Sequence, residues 1–251
     1  MKHKVNPLRH IVEFKTSDTL HINVETERLV VRSILSEDEK ACITLLGDPI
    51  VMQKFATGVP YDEKTVKDCF KIWKKRWEDH DPYSVYAISL KKSKEFVGII
   101  ALGRSAPGES EVSYAIHHKF WGERLGSETV AVLQSLIPKL MLRGYTLEYK
   151  SLKKLVATAR LDNPASKRML TGIGFKEEEK IIKYGADRYS FGLFAKVLSN
   201  EYQNFFTRRD LELQKAKDAR VKNKGVEVTE EEMATSSFGQ QSYTAGKARK
   251  F

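Results

Sequence analysis

The fold class the sequence predicts is α+β (mixed α/β), one domain over residues 25–198, and three observations carry that expectation. Tyr83–Leu90, Phe96–Leu102 and Glu111–Ile116 are strand-like runs that follow one another across turns as an antiparallel meander. Downstream, helical and extended patterns alternate, with a strand at Leu155–Arg160 between two helices. A chain of 251 residues with 41% hydrophobic content can also bury one substantial core and still leave segments outside it.

Residues 1–24 read as an N-terminal arm with two short strands, Ile11–Lys15 and Leu20–Val24. Arg28–Ile34 alternates apolar and polar residues as a half-buried strand does. Ser36-Glu-Asp-Glu39 fits a capping box and predicts a helix to about Leu46. Asp48-Pro49 restarts a short helix through Phe55, Gly58-Val-Pro60 breaks it, and Asp62 opens a long helix to about His80. On that helix Val66, Cys69, Phe70, Trp73 and Trp77 share one stripe at spacings of three and four. The next helix, Gly126–Arg143, should be kinked or split by Pro138, whose ring removes an amide and crowds the preceding turn. Residues 144–153 have no clear period. Asn163 as N-cap and Pro164 in the first turn start a helix through Thr171, closed by Gly172 and Gly174. Ile181–Tyr184 and Arg188–Phe194 read as a hairpin around Gly185-Ala-Asp187. Residues 199–224 read as a charged helix, and 225–251 as a disordered polar tail rich in Glu, Ser, Thr and Gln.

The net charge of +10 is spread along the chain: +2 over 1–24, +6 over 25–198 and +2 over 199–251. No basic arm concentrates it, which argues against nucleic acid as the main ligand. Cys42 and Cys69 form no Cys-x-x-Cys pair and no metal-ligand spacing is present, so buried free thiols and no metal are expected. No apolar run is long enough to span a membrane, and Met1-Lys-His-Lys-Val-Asn-Pro7 lacks the apolar stretch of a signal peptide, so no membrane partner and a cytoplasmic location are expected.

Two segments carry the chemistry. Glu111–Ile116 runs through His117-His118-Lys-Phe-Trp-Gly-Glu-Arg-Leu-Gly-Ser127 into a helix, and Asn163 begins another. Such helix starts leave backbone N–H groups without carbonyl partners, and these bind anions well. Two of them in one domain suggest a phosphate-bearing cofactor.

The ordered set of segments resembles the GNAT acetyltransferase superfamily, specifically its Rim-type branch, which acetylates protein N-termini and other amines. Glu25-Thr-Glu-Arg-Leu29 matches the branch's opening strand, Asp48-Pro-Ile-Val-Met52 its first-helix continuation and Phe96-Val-Gly-Ile-Ile100 its third strand. Glu111-Val-Ser-Tyr114 resembles the strand that reads Glu-Ile-Gly-Tyr, Phe120-Trp-Gly122 precedes the cofactor loop, and Asn163-Pro-Ala-Ser-Lys-Arg-Met-Leu-Thr-Gly-Ile-Gly-Phe175 follows the pattern nearly throughout. The resemblance covers about 170 residues in the right order. It implies a twisted mixed sheet whose central strands splay apart around acetyl-CoA. Pantetheine would pair with backbone at Ile116, His117 and His118, and pyrophosphate would sit on the amides of Arg124, Leu125, Gly126 and Ser127. Asn163 and Ser166 would touch the pantetheine and the thioester region.

The implied activity is acetyl transfer to a primary amine, a protein N-terminal α-amine or a small amine, by direct attack in a ternary complex. Glu111 is the first choice for general base or water-positioning group, with a surface ion pair as the competing role. Glu109 is a weaker alternative. His117 and His118 are candidate proton relays, or simply surface residues. Ser166 would steady the departing sulfur, cap its helix, or both. Phe175 and Lys176 offer no hydroxyl where many family members have a tyrosine acid. An α-amine is roughly 10–20% neutral at pH 7 and a lysine below about 0.1%, which leans towards α-amines, or polyamines held in an acidic pocket. Acceptor choice would fall to Phe55–Tyr61 with Phe70 and Trp73, although a helical aromatic stripe is also ordinary core, and to Tyr184–Arg188.

One departure is Arg124, which stands where the family places a glycine. Positive φ there would cost an arginine about 1 kcal/mol, while its guanidinium could gain about 1.5–3 kcal/mol on a phosphate. The departure keeps a rival open: a catalytically weak CoA-binding or interaction module. The 225–251 tail also resembles C-terminal signals of secreted bacterial type IV effectors, against the plainer reading of a solvated tail. The expected partners are the amine and, as an open alternative, a second copy of the chain.

Overall fold

Along Leu29–Ser33 and Lys154–Arg160 buried and half-exposed residues alternate, whereas Val85, Tyr86, Ala87 and Ile88 are all buried. A strand with both faces covered belongs at the centre of a sheet packed on two sides. The computed structural model describes residues 10–200, 203 and 204, all but Asn204 within one compact unit, Met1–Gln203. The charged helix expected over 199–224 and the tail over 225–251 lie almost wholly outside the described residues. No helix among those described is long and apolar enough to cross a membrane.

The strands are β1 (Ile11–Thr16), β2 (Leu20–Glu25), β3 (Leu29–Ser33), β4 (Val85–Leu90), β5 (Phe96–Arg104), β6 (Glu109–Ile116), β7 (Thr146–Leu147), β8 (Lys150–Ser151), β9 (Lys154–Arg160), β10 (Lys176–Lys183) and β11 (Ala186–Phe194). The helices that flank the sheet are α1 (Glu39–Gly47), α2 (Pro49–Met52), α3 (Glu63–Glu78), α4 (Leu125–Ala131), α5 (Leu133–Leu142) and α6 (Pro164–Gly172), and residues 195–200 are helical as well. Nine strands form one sheet in the order β1-β2-β3-β4-β5-β6-β9-β11-β10. Every pairing in it is antiparallel except β6 with β9. The predicted mixed α/β class is therefore the observed one, and β1 and β2 extend the same sheet.

Several local expectations change. Ser36 does not cap α1; its hydroxyl accepts from Lys74 Nζ at 2.8 Å. Asp38 stands at the N-cap of α1 without a side-chain cap bond; its carboxylate instead closes a 3-10 turn over Ser36–Asp38, accepting from the Leu35 amide at 2.7 Å while gripped by Arg32. A charged carboxylate fixed by a guanidinium is a stronger acceptor than a serine hydroxyl. The break in the helix after Gly126 falls at Val132, not at Pro138. The Val132 carbonyl accepts from the Ser135 hydroxyl at 3.0 Å and the Ser135 amide at 3.1 Å, a tightened turn that relieves the ladder one turn before the proline ring. The final hairpin turns at Tyr184-Gly185, both with positive φ (53° and 72°), as a two-residue primed turn requires. β10 begins at Lys176, five residues before the predicted start. Its Lys176-Glu-Glu-Glu-Lys180 stretch is exposed and charged, as suits a sheet edge.

On α3 four of the five stripe residues are core: Val66, Phe70 and Trp77 are buried and Trp73 packs against them, whereas Cys69, expected to be buried, is half-exposed. Cys42 is buried too, and burial pushes its thiol up to about 12, aided by Asp38 and Glu39, so it stays protonated.

Candidate active site

β6 and β9 pair only through Glu109–Lys154, Ser110–Leu155 and Glu111–Val156, then part. The His117 amide donates to Val97 of β5 at 2.9 Å, so by strand alternation the amides of Val112, Tyr114 and Ile116 face the gap instead. Of the backbone expected at Ile116, His117 and His118, Ile116 keeps its amide towards the gap and the two histidines do not. His117 is turned to β5, the His118 carbonyl accepts from the Trp121 amide, and the Ile116 carbonyl accepts from Trp121 Nε1 at 2.8 Å. Tyr114 and Val112 replace the two histidines as gap-facing backbone.

Immediately before α4, Arg124 adopts left-handed geometry (φ 62°, ψ 12°). The first helical bond runs from the Glu128 amide to the Arg124 carbonyl at 3.2 Å, so the Leu125, Gly126 and Ser127 amides precede the ladder. Arg124 is exposed, and among the described residues its guanidinium has no partner. Gly126 has a packing role: a Cβ there would lie 2.7 Å from Met169 Sδ, so the glycine lets α6 close on α4.

Glu128 was not legible as a site residue. Only 2% exposed, its carboxylate accepts from the Thr26 hydroxyl, from the Arg28 amide at 2.8 Å and from Arg28 Nε at 2.7 Å. Arg28 Nη1 also donates to the Glu123 carbonyl at 3.0 Å. Thr26-Glu-Arg28 thereby fastens the loop before α4 to the start of β3.

On the far side Asn163 Oδ1 accepts from the Ser166 amide at 3.1 Å, which confirms the predicted cap of α6. Ser166 Oγ lies 2.8 Å from the Tyr114 hydroxyl, a bond that crosses from β6 to α6. Burial pushes the Tyr114 phenol up to about 12, partly offset by Ser166, so it stays protonated at neutral pH. Tyr114 thus brings a protonated hydroxyl to the site from β6, where sequence reasoning had named it only as part of the strand motif.

Glu111, Tyr114, Asn163 and Ser166 line one cavity of about 240 Å³, with Phe55 and Tyr61 from the α2–α3 connection. Phe70 and Trp73, the other candidates for acceptor choice, belong to the core. Glu111 Oε1 accepts from Lys183 Nζ at 2.6 Å, so the ion pair weighed against a base role is present. His118 Nδ1 lies 2.6 Å from Asp48 Oδ2, and the other Asp48 oxygen caps α2 by accepting from Ile50. Burial lowers the His117 pKa, as do His118 and Lys119 beside it, and favours the neutral ring. Ligand atoms of Asp48, His117 and His118 converge within 4.8 Å. As it stands the trio is a hydrogen-bonded Asp48–His118 dyad with the His117 ring beside it.

Residues 28–176 match the family described as "Acetyltransferase (GNAT) domain", more than half of the chain. The chain belongs to the GNAT acetyltransferase family. No curated protein matches it. Solved structures reproduce the GNAT fold at low identity. An acetyltransferase from Agrobacterium tumefaciens is 19% identical, covering 74% of this chain and 98% of its own, with a TM-score of 0.55. RimL, a ribosomal L7/L12 α-N-protein acetyltransferase in complex with coenzyme A, is 16% identical, covering 67% and 95%, with a TM-score of 0.54. A spermidine N-acetyltransferase from Vibrio cholerae, in complex with CoA and spermine, is 15% identical, covering 68% and 97%, with a TM-score of 0.53.

GNAT acetyltransferases use acetyl-CoA. The residues fit that group: a parted strand pair with unpaired backbone, free amides before α4 and an arginine beside them that has no partner among the described residues. Replacing Arg124 by glycine relieves the left-handed strain, which should raise stability by about 0.5–1 kcal/mol in a denaturant melt. If the guanidinium also holds phosphate, the same variant binds acetyl-CoA roughly tenfold more weakly by calorimetry; tighter binding means the side chain obstructs the loop.

Proposed function

We propose that the chain is an acetyl-CoA-dependent N-acetyltransferase of the Rim-type branch that modifies a primary amine by direct attack in a ternary complex. The observation that carries this reading is the parting of β6 and β9 after Glu111 and Val156, with a cavity of mixed polar and apolar lining between them. Bound acetyl-CoA supplies an activated acetyl thioester, which a neutral amine accepts while coenzyme A departs as a thiol.

The gap-facing backbone of Val112, Tyr114 and Ile116 would hold the pantetheine, and Arg124, Leu125, Gly126 and Ser127 the pyrophosphate. The Tyr114–Ser166 pair keeps a hydroxyl proton at the N-terminus of α6, available to a developing anion. A phenol held up by burial suits a hydrogen-bond donor better than a base. Glu111, tied to Lys183, would position the amine or a water rather than act as an unpaired base. His118, steadied by Asp48, remains a candidate proton relay.

Released thiol, followed with acetyl-CoA and a panel of amines, tests the activity. Turnover with at least one amine supports it. Absence of turnover together with no binding heat at millimolar cofactor supports the non-catalytic module. Tyr114→Phe should lower kcat by about 10–100-fold while changing the KM for acetyl-CoA by less than about threefold. Unchanged kcat removes the tyrosine from the mechanism.

A further inference from the structure

The acceptor end of the cavity carries more positive than negative charge. Lys54 and Arg188 line it with Glu111, and Arg160, Asp162 and Lys183 stand directly behind. Two carboxylates serve four cations. Asp162 takes Lys54 at 2.6 Å and Arg160 at 3.3 Å, and Glu111 takes Lys183 at 2.6 Å. Arg188 is left with no carboxylate, although it is only 3% exposed.

A buried guanidinium without an anion is unusual, because burial disfavours its charge. Arg188 is held instead by neutral acceptors. Its Nε donates to the Lys183 carbonyl at 3.2 Å, Nη2 to the Ala56 carbonyl, and Nη1 at 3.5 Å to Thr158 Oγ1. These partners occupy three of its five N–H groups, and each terminal nitrogen keeps one. They also tie β11 to the α2–α3 connection on opposite sides of the cavity, so the guanidinium is fixed in place. Burial and Arg160 press against its charge; the Tyr184 ring at 5.2 Å and, beyond ion-pair distance, Glu111 and Asp162 offset this only in part.

We infer that the acceptor amine carries an anionic group, a carboxylate or phosphate a few atoms from the nitrogen, which Arg188 and Lys54 receive. This rests on the acetyltransferase reading above. An anion there would bring the four cations closer to balance and fill the open donors with charge-assisted bonds. The same field disfavours an ammonium ion, so the amine that enters loses its proton more readily. A polyamine, all cation, meets the wrong sign in this cavity.

The test is calorimetry on the full chain loaded with coenzyme A, so that the cofactor's own phosphates are already in place. The probes are L-aspartate against its diamide, a tripeptide with an acidic second residue against its amide counterpart, phosphoethanolamine against ethanolamine, and spermidine. The anionic member of at least one pair should bind about 10–100-fold more tightly, and the pair that responds identifies the source of the charge. Lys54→Gln should narrow the difference, and Arg188→Gln should abolish it. Because Arg188 also anchors backbone, its variant is read only beside a normal thermal melt, and Lys54→Gln otherwise decides. Equal affinities within every pair, or tightest binding of spermidine, overturn the inference. Anion preference without thiol release from any amine leaves the binding site standing and sinks the acetyltransferase reading instead.

Discussion

Replacing Glu128 by alanine should lower the melting temperature by roughly 6–12 °C, about 3 kcal/mol for a chain of this size, and weaken acetyl-CoA binding at the same time. The carboxylate is buried and collects donors from Thr26 and from both the amide and the guanidinium of Arg28. Without it the Arg28 amide loses its partner, while the half-exposed guanidinium can turn to water. Thr26 keeps the Leu29 carbonyl, which limits the loss. The effect on binding follows from position, since Glu128 adjoins Ser127 and Arg28 also holds the Glu123 carbonyl. Burial opposes the charge on Glu128, but the bonds from Thr26 and Arg28 outweigh it and hold its pKa below the usual value. Its contribution is therefore complete above an unfolded value of about 4.5 and is lost as pH falls from there through the folded value. Thermal melts at neutral and acidic pH measure this directly. A variant that melts with the native chain at neutral pH would refute the assignment.

Gly98→Ala should be the most damaging single-methyl substitution in the sheet, costing on the order of 3 kcal/mol or more. A Cβ at Gly98 would stand 2.1 Å from the Ala115 carbonyl oxygen and 3.0 Å from Ile116 Cα, both backbone atoms, so β5 and β6 must move apart. Displacing Ile116 also disturbs the carbonyl that takes the Trp121 indole. Gly103 on the same strand is the internal control. Its added Cβ would be 3.5 Å from the nearest atom, so Gly103→Ala should stay within about 1 kcal/mol of the native chain. Denaturant midpoints of the two variants decide, and equal stability removes the steric argument.

What could be read beforehand was local chemistry. The Asn163–Ser166 cap needs only residues three apart, and α3 is written as an apolar stripe on a helical period. The bonds that complete the site are long-range. Glu128 meets Arg28 across 100 positions and Arg188 meets Ala56 across 132, with no pattern to announce either pair. β10 hid because an edge strand built from Lys176-Glu-Glu-Glu-Lys180 lacks the apolar alternation by which strands are found. Tyr114 was visible only as part of a motif; that its hydroxyl reaches Ser166 depends on how closely α6 approaches β6.

Three register pairs join β6 to β9, and they are the only strand contacts in the described sheet between the block β1–β6 and the block β9–β11. Such a seam is a weak line in the sheet, no longer than the three pairs that join β2 to β3, and amide exchange along it should be faster than in the interior of either block. Anything wedged into the opening and bonded to both sides would act as mortar, so the same irregularity that admits a ligand also makes the resilience of the whole domain depend on whether one is present.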